Sequence, residues 1–250
     1  MTGLALSVIV PTWNEERCID DFIDRVSRFL DTRLAGWEIV VVDDGSTDGT
    51  VARVQERADR DPRVRILREP HRGKGGALRT GMIAARGAWR LMADADLSVS
   101  PEDWSALLDA TASPDAPAVI VASREAPGSK RVGETAVRHS IGRVFNMLVQ
   151  AVAVPGINDT QCGFKLFRAD AVEALFPNLT VDGFAFDVEL LFLARCAGFS
   201  IHEVGVVWVC RRDSRVRMAR GASAFVDVIK IRLRDLAGGY RHVRRLPSHS

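Results

Sequence analysis

Trp37-Glu38-Ile39-Val40-Val41-Val42-Asp43-Asp44-Gly45-Ser46-Thr47-Asp48-Gly49-Thr50 passes abruptly from an apolar run into a polar loop. The β-branched run reads as a buried strand. The Ser, Thr and Asp that follow are the residues that cap helices, so a helix should begin near Thr50. Working outward, Leu6 to Val10 is a second buried strand bounded by Pro11, and Ile19 to Leu30 carries apolar residues at helical spacing. Val64 to Leu67 is a third strand and Lys74 to Arg86 a helix ended by Gly87. Trp89 to Ala93 is a fourth strand running into Asp94-Ala95-Asp96. The alternation βαβαβαβ predicts an α/β fold with a mostly parallel sheet, since parallel strands need crossovers and the crossovers cover both faces. Ala118 to Ala122 and Val204 to Val209 read as later strands and Val137 to Ala153 as a helix. Pro114 to Pro117 and Glu125 to Gly133 read as loops, the second a mobile active-site loop.

The 250 residues are 47% hydrophobic and 26% charged, the composition of an ordinary folded domain. No apolar run approaches the ~18 residues of a membrane span, and no basic region precedes the first apolar run. Cys18, Cys162, Cys196 and Cys210 form no C-x-x-C pair and no histidine lies in an H-E-x-x-H pattern, so reduced cysteines in a cytoplasmic protein are expected. The net charge of +2 argues for no nucleic-acid partner, but its distribution is uneven. Arg211 to Arg245 holds eleven Lys or Arg against three Asp. Residues 1–210 are therefore expected to form the main domain, and 211–250 a basic amphipathic segment of the same unit, helical and then disordered. With Phe225, Val226, Ile229, Leu233 and Leu236 at helical spacing, that segment can lie on an anionic membrane surface or pack as an ordinary helix.

In open α/β sheets the ligand crevice lies beyond the carboxyl ends of the strands, which should bring Asp43, Asp44, Asp94 and Asp96 to one cleft. Asp94 and Asp96 there can offer oxygen ligands to Mg²⁺ or Mn²⁺. Asp43 and Asp44 can accept hydrogen bonds from a base or ribose. His71-Arg72-Gly73-Lys74-Gly75-Gly76 lets backbone approach a phosphate while Lys74 adds charge. The Walker A spacing is missing, as is a G-x-G-x-x-G after the first strand, which disfavours a P-loop NTPase and a Rossmann dehydrogenase.

Val8-Ile9-Val10-Pro11-Thr12-Trp13-Asn14-Glu15, the Asp43 to Thr50 loop, Arg72 to Ala77 and Asp94-Ala95-Asp96 together resemble the family 2 glycosyltransferases, which have the GT-A nucleotide-diphospho-sugar transferase fold. Asp159 to Phe167 and Phe184 to Leu191 resemble the branch holding dolichyl-phosphate glucosyltransferase and related polyprenyl-phosphate sugar synthases. The resemblance spans about residues 5–235. It implies that Pro11, Asn14 and Glu15 line the nucleotide pocket, Asp43 contacts the base, Lys74 lies near the nucleotide, and Asp94 and Asp96 serve the diphosphate and its metal; Asp44 beside Asp43 is counted with the nucleotide-sugar contacts for its acceptor chemistry. Ser98 stands where related lipid-phosphate transferases often carry Gln, and His71 where Asn is more usual. Arg124 and Arg138 match arginines that hold a lipid phosphate, a task suited to a permanently charged planar fork. Gln161, Cys162, Gly163 and Lys165 are expected on the sugar and acceptor side, and Asp187 matches a catalytic carboxylate.

The implied reaction is an inverting transfer of a hexose from a nucleotide-diphosphate sugar, UDP-glucose first and GDP-mannose second, to a polyprenyl or dolichyl phosphate. A hydroxyl acceptor is the alternative and would need a base, with Asp187 the candidate. A nucleotidyltransferase would also use a nucleotide, a divalent metal and a similar sheet.

Overall fold

The structure, a computed structural model, describes residues 4–113, 115–183, 185–210 and 219–245. Its first half follows the expected alternation: β1 (Leu6–Thr12), α1 (Ile19–Asp31), β2 (Trp37–Asp44), α2 (Thr50–Arg60), β3 (Val64–Glu69), α3 (Lys74–Ala84) and β4 (Trp89–Met92). Then come α4 (Ser105–Asp109), β5 (Val119–Ser123), β6 (Lys130–Val132), α5 (Ala136–Val152), β7 (Lys165–Arg168), α6 (Ala169–Leu175), α7 (Phe186–Cys196), β8 (Ile201–Gly205), β9 (Val207–Val209) and α8 (Ala219–Leu236).

Seven strands form one sheet in the order β3-β2-β1-β4-β7-β5-β8, with β7 antiparallel to both neighbours and every other pairing parallel. The alternation of side chains along each strand splits the apolar residues between two cores. Ile9, Val40, Val42 and Met92 face α3 and α5 to α8, whereas Val8, Val10, Ile39, Val41 and Leu91 face α1 and Trp104. Burial on both faces is why β1 and β2 read as continuous hydrophobic runs.

Three features depart from the expected elements. Residues 165–168 form a strand between β4 and β5 although the segment opens on a lysine, because that charge is matched in the core by Asp187. The single late strand expected over Val204 to Val209 is two: β8 stays with β5, and after Val206 the chain leaves the sheet as β9. There it pairs in parallel with β6, so the segment expected as a mobile loop contains a strand whose partner lies far along the chain.

The described part of the C-terminal segment packs on the domain. Val228 and Ile231 of α8 are buried against the domain, and the chain then turns so that Tyr240 and Val243 enter the same core. Two apolar side chains beyond the helix therefore still find cover. Residues 211–218 and 246–250, part of that segment, lie outside the described residues.

Candidate active site

The carboxyl ends of β2, β1 and β4 lie side by side, and the loops leaving them build the site. Asp43, paired in register with Thr12, accepts a hydrogen bond from the Ser46 amide at 3.1 Å. Asn14 sits at φ 58°, a left-handed conformation that asparagine tolerates better than most residues. Its side-chain oxygen accepts from the Thr47 amide at 2.7 Å and its own amide donates to Ser46 Oγ at 2.8 Å. The Glu15 amide donates to Thr50 Oγ1 at 2.8 Å. The segment after Pro11 and the acidic loop thus form one hydrogen-bonded wall. At its edge the Trp13 and His71 rings stack, with centroids 4.9 Å apart. Trp13 was not foreseen as a site residue, because an aromatic side chain after a strand is more often core.

Asp44 faces the other way, accepting from the Arg72 amide at 2.8 Å and the Gly73 amide at 3.0 Å. This fastens the glycine loop to β2. Gly73 has φ 112°, which L side chains rarely adopt, and it is the point at which the chain turns into α3. Lys74, the first residue of α3, places Nζ 2.6 Å from Asp94 Oδ1. The chain of contacts Asp44, Gly73, Lys74, Asp94 joins the two acidic strand ends across β1. Burial works to lower the Lys74 pKa, but Asp94 and Asp187 outweigh it and hold the ammonium above its usual range. A cation at the positive end of a helix suits a diphosphate.

Asp96 accepts from the Ser98 amide at 2.9 Å, so Ser98 orients the carboxylate through its backbone. Burial, and then the neighbouring Asp94 charge, push the Asp96 pKa up. Two nearby carboxylates that repel each other form a donor set made only of hard oxygens, which fits Mg²⁺ or Mn²⁺ sharing its other positions with water and phosphate oxygens. Among the described residues no group of three or more His, Cys, Asp or Glu could hold a metal ion.

Gly163 comes up against this pair from the far side. A Cβ there would collide with Asp94 Oδ2 and lie 3.0 Å from Lys74 Nζ. Both are flexible side-chain ends, so the fold can accommodate Gly163→Ala while the Lys74–Asp94 geometry cannot. We expect Gly163→Ala to keep its melting temperature within a few degrees and to lose about a hundredfold in kcat/KM for glycosyl transfer; unchanged kinetics would show that Asp94 and Lys74 need not stay where they are. Asp94, Ser98, Trp104, Cys162, Gly163 and Trp208 line a pocket at this point.

Beneath the cleft, Lys165 is fully buried and its ammonium is spent on the Asp187 carboxylate and, at 2.6 Å, on the Cys162 carbonyl. It therefore does not present its charge to the cleft. Burial pushes the Asp187 pKa up, against the opposing pull of Lys165 and Lys74. Cys162 is buried as well, and burial with the nearby Asp159 raises its thiol to about 11, which leaves it a packing residue and no nucleophile.

Arg124 is held by a partner that sequence reasoning missed. Asp159 accepts from Arg124 Nε at 2.7 Å, Nη2 at 2.8 Å and the Arg124 amide at 2.9 Å. Burial favours a neutral Asp159, but Arg124 overrides it and depresses the carboxyl pKa. The guanidinium also lies over the Trp208 ring, 5.2 Å from its centroid. The available signal was the arginine itself, since a half-buried guanidinium needs a carboxylate and Asp159 opens the motif singled out above. The Gln161 amide donates to Asp159 Oδ1 at 3.2 Å, while its side-chain Nε2 is buried without a hydrogen-bond partner among the described residues. Arg138 lies in α5, and its side chain is outside the described residues.

Residues 7–176 match the domain described as Glycosyl transferase family 2. The chain belongs to glycosyltransferase family 2. Among similar proteins, the dolichyl-phosphate beta-glucosyltransferase of Drosophila melanogaster is 39% identical over 264 residues, covering 96% of this chain and 78% of that one. The enzymes of that name from Homo sapiens and Saccharomyces cerevisiae are 36% and 35% identical, each covering 94% of this chain and 77% and 76% of their own. Among solved structures, glucosyl-3-phosphoglycerate synthase from Mycobacterium tuberculosis, in complex with Mn²⁺, UDP-glucose and phosphoglyceric acid, superposes with a TM-score of 0.70. It is 20% identical, with 94% of this chain and 80% of that chain covered. The seven-stranded sheet with helices on both faces is the GT-A fold that the resemblance implied. Membership in this family sets aside the nucleotidyltransferase reading.

Proposed function

We propose that this glycosyltransferase moves glucose from UDP-glucose, with inversion, to the phosphate of a polyprenyl lipid of the dolichyl type. Similarity to dolichyl-phosphate beta-glucosyltransferases along nearly the whole chain supports the reading. The state of Asp187 is the structural observation that carries the choice of acceptor. A sugar hydroxyl must lose a proton, and the carboxylate considered for that work is buried and engaged by the Lys165 ammonium. A lipid phosphate is already ionised near neutral pH and asks only to be positioned.

In this scheme Asp43, with the wall formed by Pro11, Asn14 and Glu15, borders the nucleoside, and Lys74 with the start of α3 faces the diphosphate. A divalent cation between Asp94 and Asp96 would neutralise charge building on the departing UDP. Lys74 adds a fixed positive charge at the same place. Arg124, oriented by Asp159 and Trp208, together with Gln161, would hold the acceptor phosphate.

The acceptor also has to be reached. No helix among the described residues is long and apolar enough to cross a membrane. On α8, however, Val226, Ile229, Leu233 and Leu236 are exposed in one stripe, and on the neighbouring α5, which meets it through the Phe145–Phe225 ring pair, Val144 and Met147 are exposed. With Lys230 and Arg234 also exposed on α8, this surface suits shallow burial in an anionic membrane at its cytoplasmic face.

The test is one assay with Mg²⁺ or Mn²⁺, a panel of nucleotide sugars, and vesicles of neutral or anionic lipid with and without polyprenyl phosphate. UDP release from UDP-glucose that depends on the polyprenyl phosphate, with a matching glucolipid and tighter sedimentation with anionic vesicles at low salt, is the expected result. Product only with a soluble hydroxyl acceptor would overturn the acceptor, turnover of GDP-mannose alone would overturn the donor, and indifference to anionic vesicles would overturn the membrane contact.

A further inference from the structure

The turn that follows α8 reaches the glycine loop through one buried carboxylate. Glu189, on α7 and fully buried, accepts four hydrogen bonds. The Thr180 and Val181 amides donate to Oε2, each at 2.8 Å. The Thr180 hydroxyl and the Tyr240 hydroxyl donate to Oε1, each at 2.6 Å. Tyr240 is itself buried, with its ring against Phe192 and under the Arg234 guanidinium of α8.

The segment that Glu189 holds is the outer wall of the glycine loop. The Asp182 carbonyl accepts from the Gly75 amide at 2.9 Å. A Cβ on Gly73 would lie 2.8 Å from the Asp182 carbonyl oxygen, and one on Gly75 would lie 2.8 Å from that of Val181. Lys74 stands between these two glycines, with its ammonium on Asp94. A shift of residues 180–182 therefore moves the backbone on both sides of Lys74, in contacts too close to absorb it.

We infer that Glu189 and Tyr240 are positioning residues that set Lys74 against Asp94, so that the chain beyond α8 forms part of the support of the donor site. The inference rests on the reading of that site as the place of the nucleotide diphosphate. Neither residue touches the cleft by this route; each acts through the 180–182 wall. Glu189 arranges four donors around one side chain, and Tyr240 ties the C-terminal turn to it. The turn continues from the helix whose exposed stripe faces outward, so that helix is joined to the donor loop through Tyr240.

The test uses the full chain with Tyr240→Phe, which removes one hydroxyl and keeps the ring, and Glu189→Gln, which keeps the shape and loses the charge. Val228→Ala on α8 serves as a control that weakens the same packing without touching the network. UDP binding by calorimetry and steady-state kinetics are measured alongside melting temperature. Tyr240→Phe is expected to raise the UDP dissociation constant and the donor KM about three- to tenfold, Glu189→Gln more, with acceptor KM unchanged. Val228→Ala should lower the melting temperature and leave the donor constants alone. Lowered melting temperatures with wild-type donor constants in both network variants would reduce the pair to structural packing and overturn the inference. Failure of the wild-type chain to bind UDP would instead overturn the reading of the donor site, so the two failures are distinguishable.

Discussion

Asp96→Ala is expected to lower glycosyl transfer by about a thousandfold or more while leaving the protein folded, an effect of the size seen when a group that stabilises transition-state charge is removed. The carboxylate stands on the loop after β4, oriented by the Ser98 amide. Its pKa is raised first by burial and then by Asp94, so its charge is held there at a cost to the folded state. Deleting it relieves that repulsion, and the melting temperature should stay level or rise slightly. On the proposed reading the loss belongs to catalysis: one of the two oxygen donors proposed for a divalent cation disappears, and Asp94 alone, already engaged by Lys74, would not replace it. Transfer rates across a Mg²⁺ and Mn²⁺ titration, with melting curves on the same preparation, decide the matter. Divalent-dependent turnover at the wild-type level in a folded variant would remove Asp96 from the metal site.

Lys165→Met is expected to have the largest effect on stability, about 3–5 kcal/mol, because it leaves the Asp187 carboxylate buried without its cation. The pair lies under the sheet's end, with Lys165 on β7 and Asp187 at the start of α7. Its loss also frees the Cys162 carbonyl, next to the glycine that abuts Asp94. The pH dependence follows from the direction of the Asp187 shift. Burial raises its pKa in the folded state even with Lys165 present, and removal of the lysine raises it further. A carboxyl with a raised folded pKa binds more protons folded than unfolded, so its burden on stability grows as pH rises through and above the unfolded carboxylate range. The deficit of Lys165→Met should therefore be smaller at pH 5 than at pH 8. Denaturant unfolding at both pH values checks this, and adding Asp187→Leu should recover much of the lost stability. A deficit that does not change with pH would show that cavity formation dominates.

How much was legible in the sequence differs by residue for physical reasons. β1, β2 and the acidic loops could be read because a strand buried on both faces must be apolar throughout, and because Asp, Ser and Gly crowd where a strand gives way to a helix. Lys74 and Asp94 were singled out one by one, but nothing in their spacing sets an ammonium 2.6 Å from a carboxylate twenty residues away. β7 was missed as a strand because it opens with Lys165, whose charge is tolerable only through Asp187. β6 was missed, and β9 was read as the end of one longer strand, because three-residue strands have too little pattern to register and each exists through the other.

The amino-acid sequence alone determined the parallel α/β sheet, the placing of both acidic clusters at strand ends, the glycine loop and the family to which they belong. These are properties of local pattern and of chain order. Only the tertiary structure decided which charges are spent beneath the cleft, Lys165 on Asp187 and Glu189 on a tyrosine 51 residues later, and which partner orients Arg124, namely Asp159. A charged side chain is named by its codon, but its role depends on what desolvates it and what lies within hydrogen-bond reach, and both are supplied by segments distant in sequence.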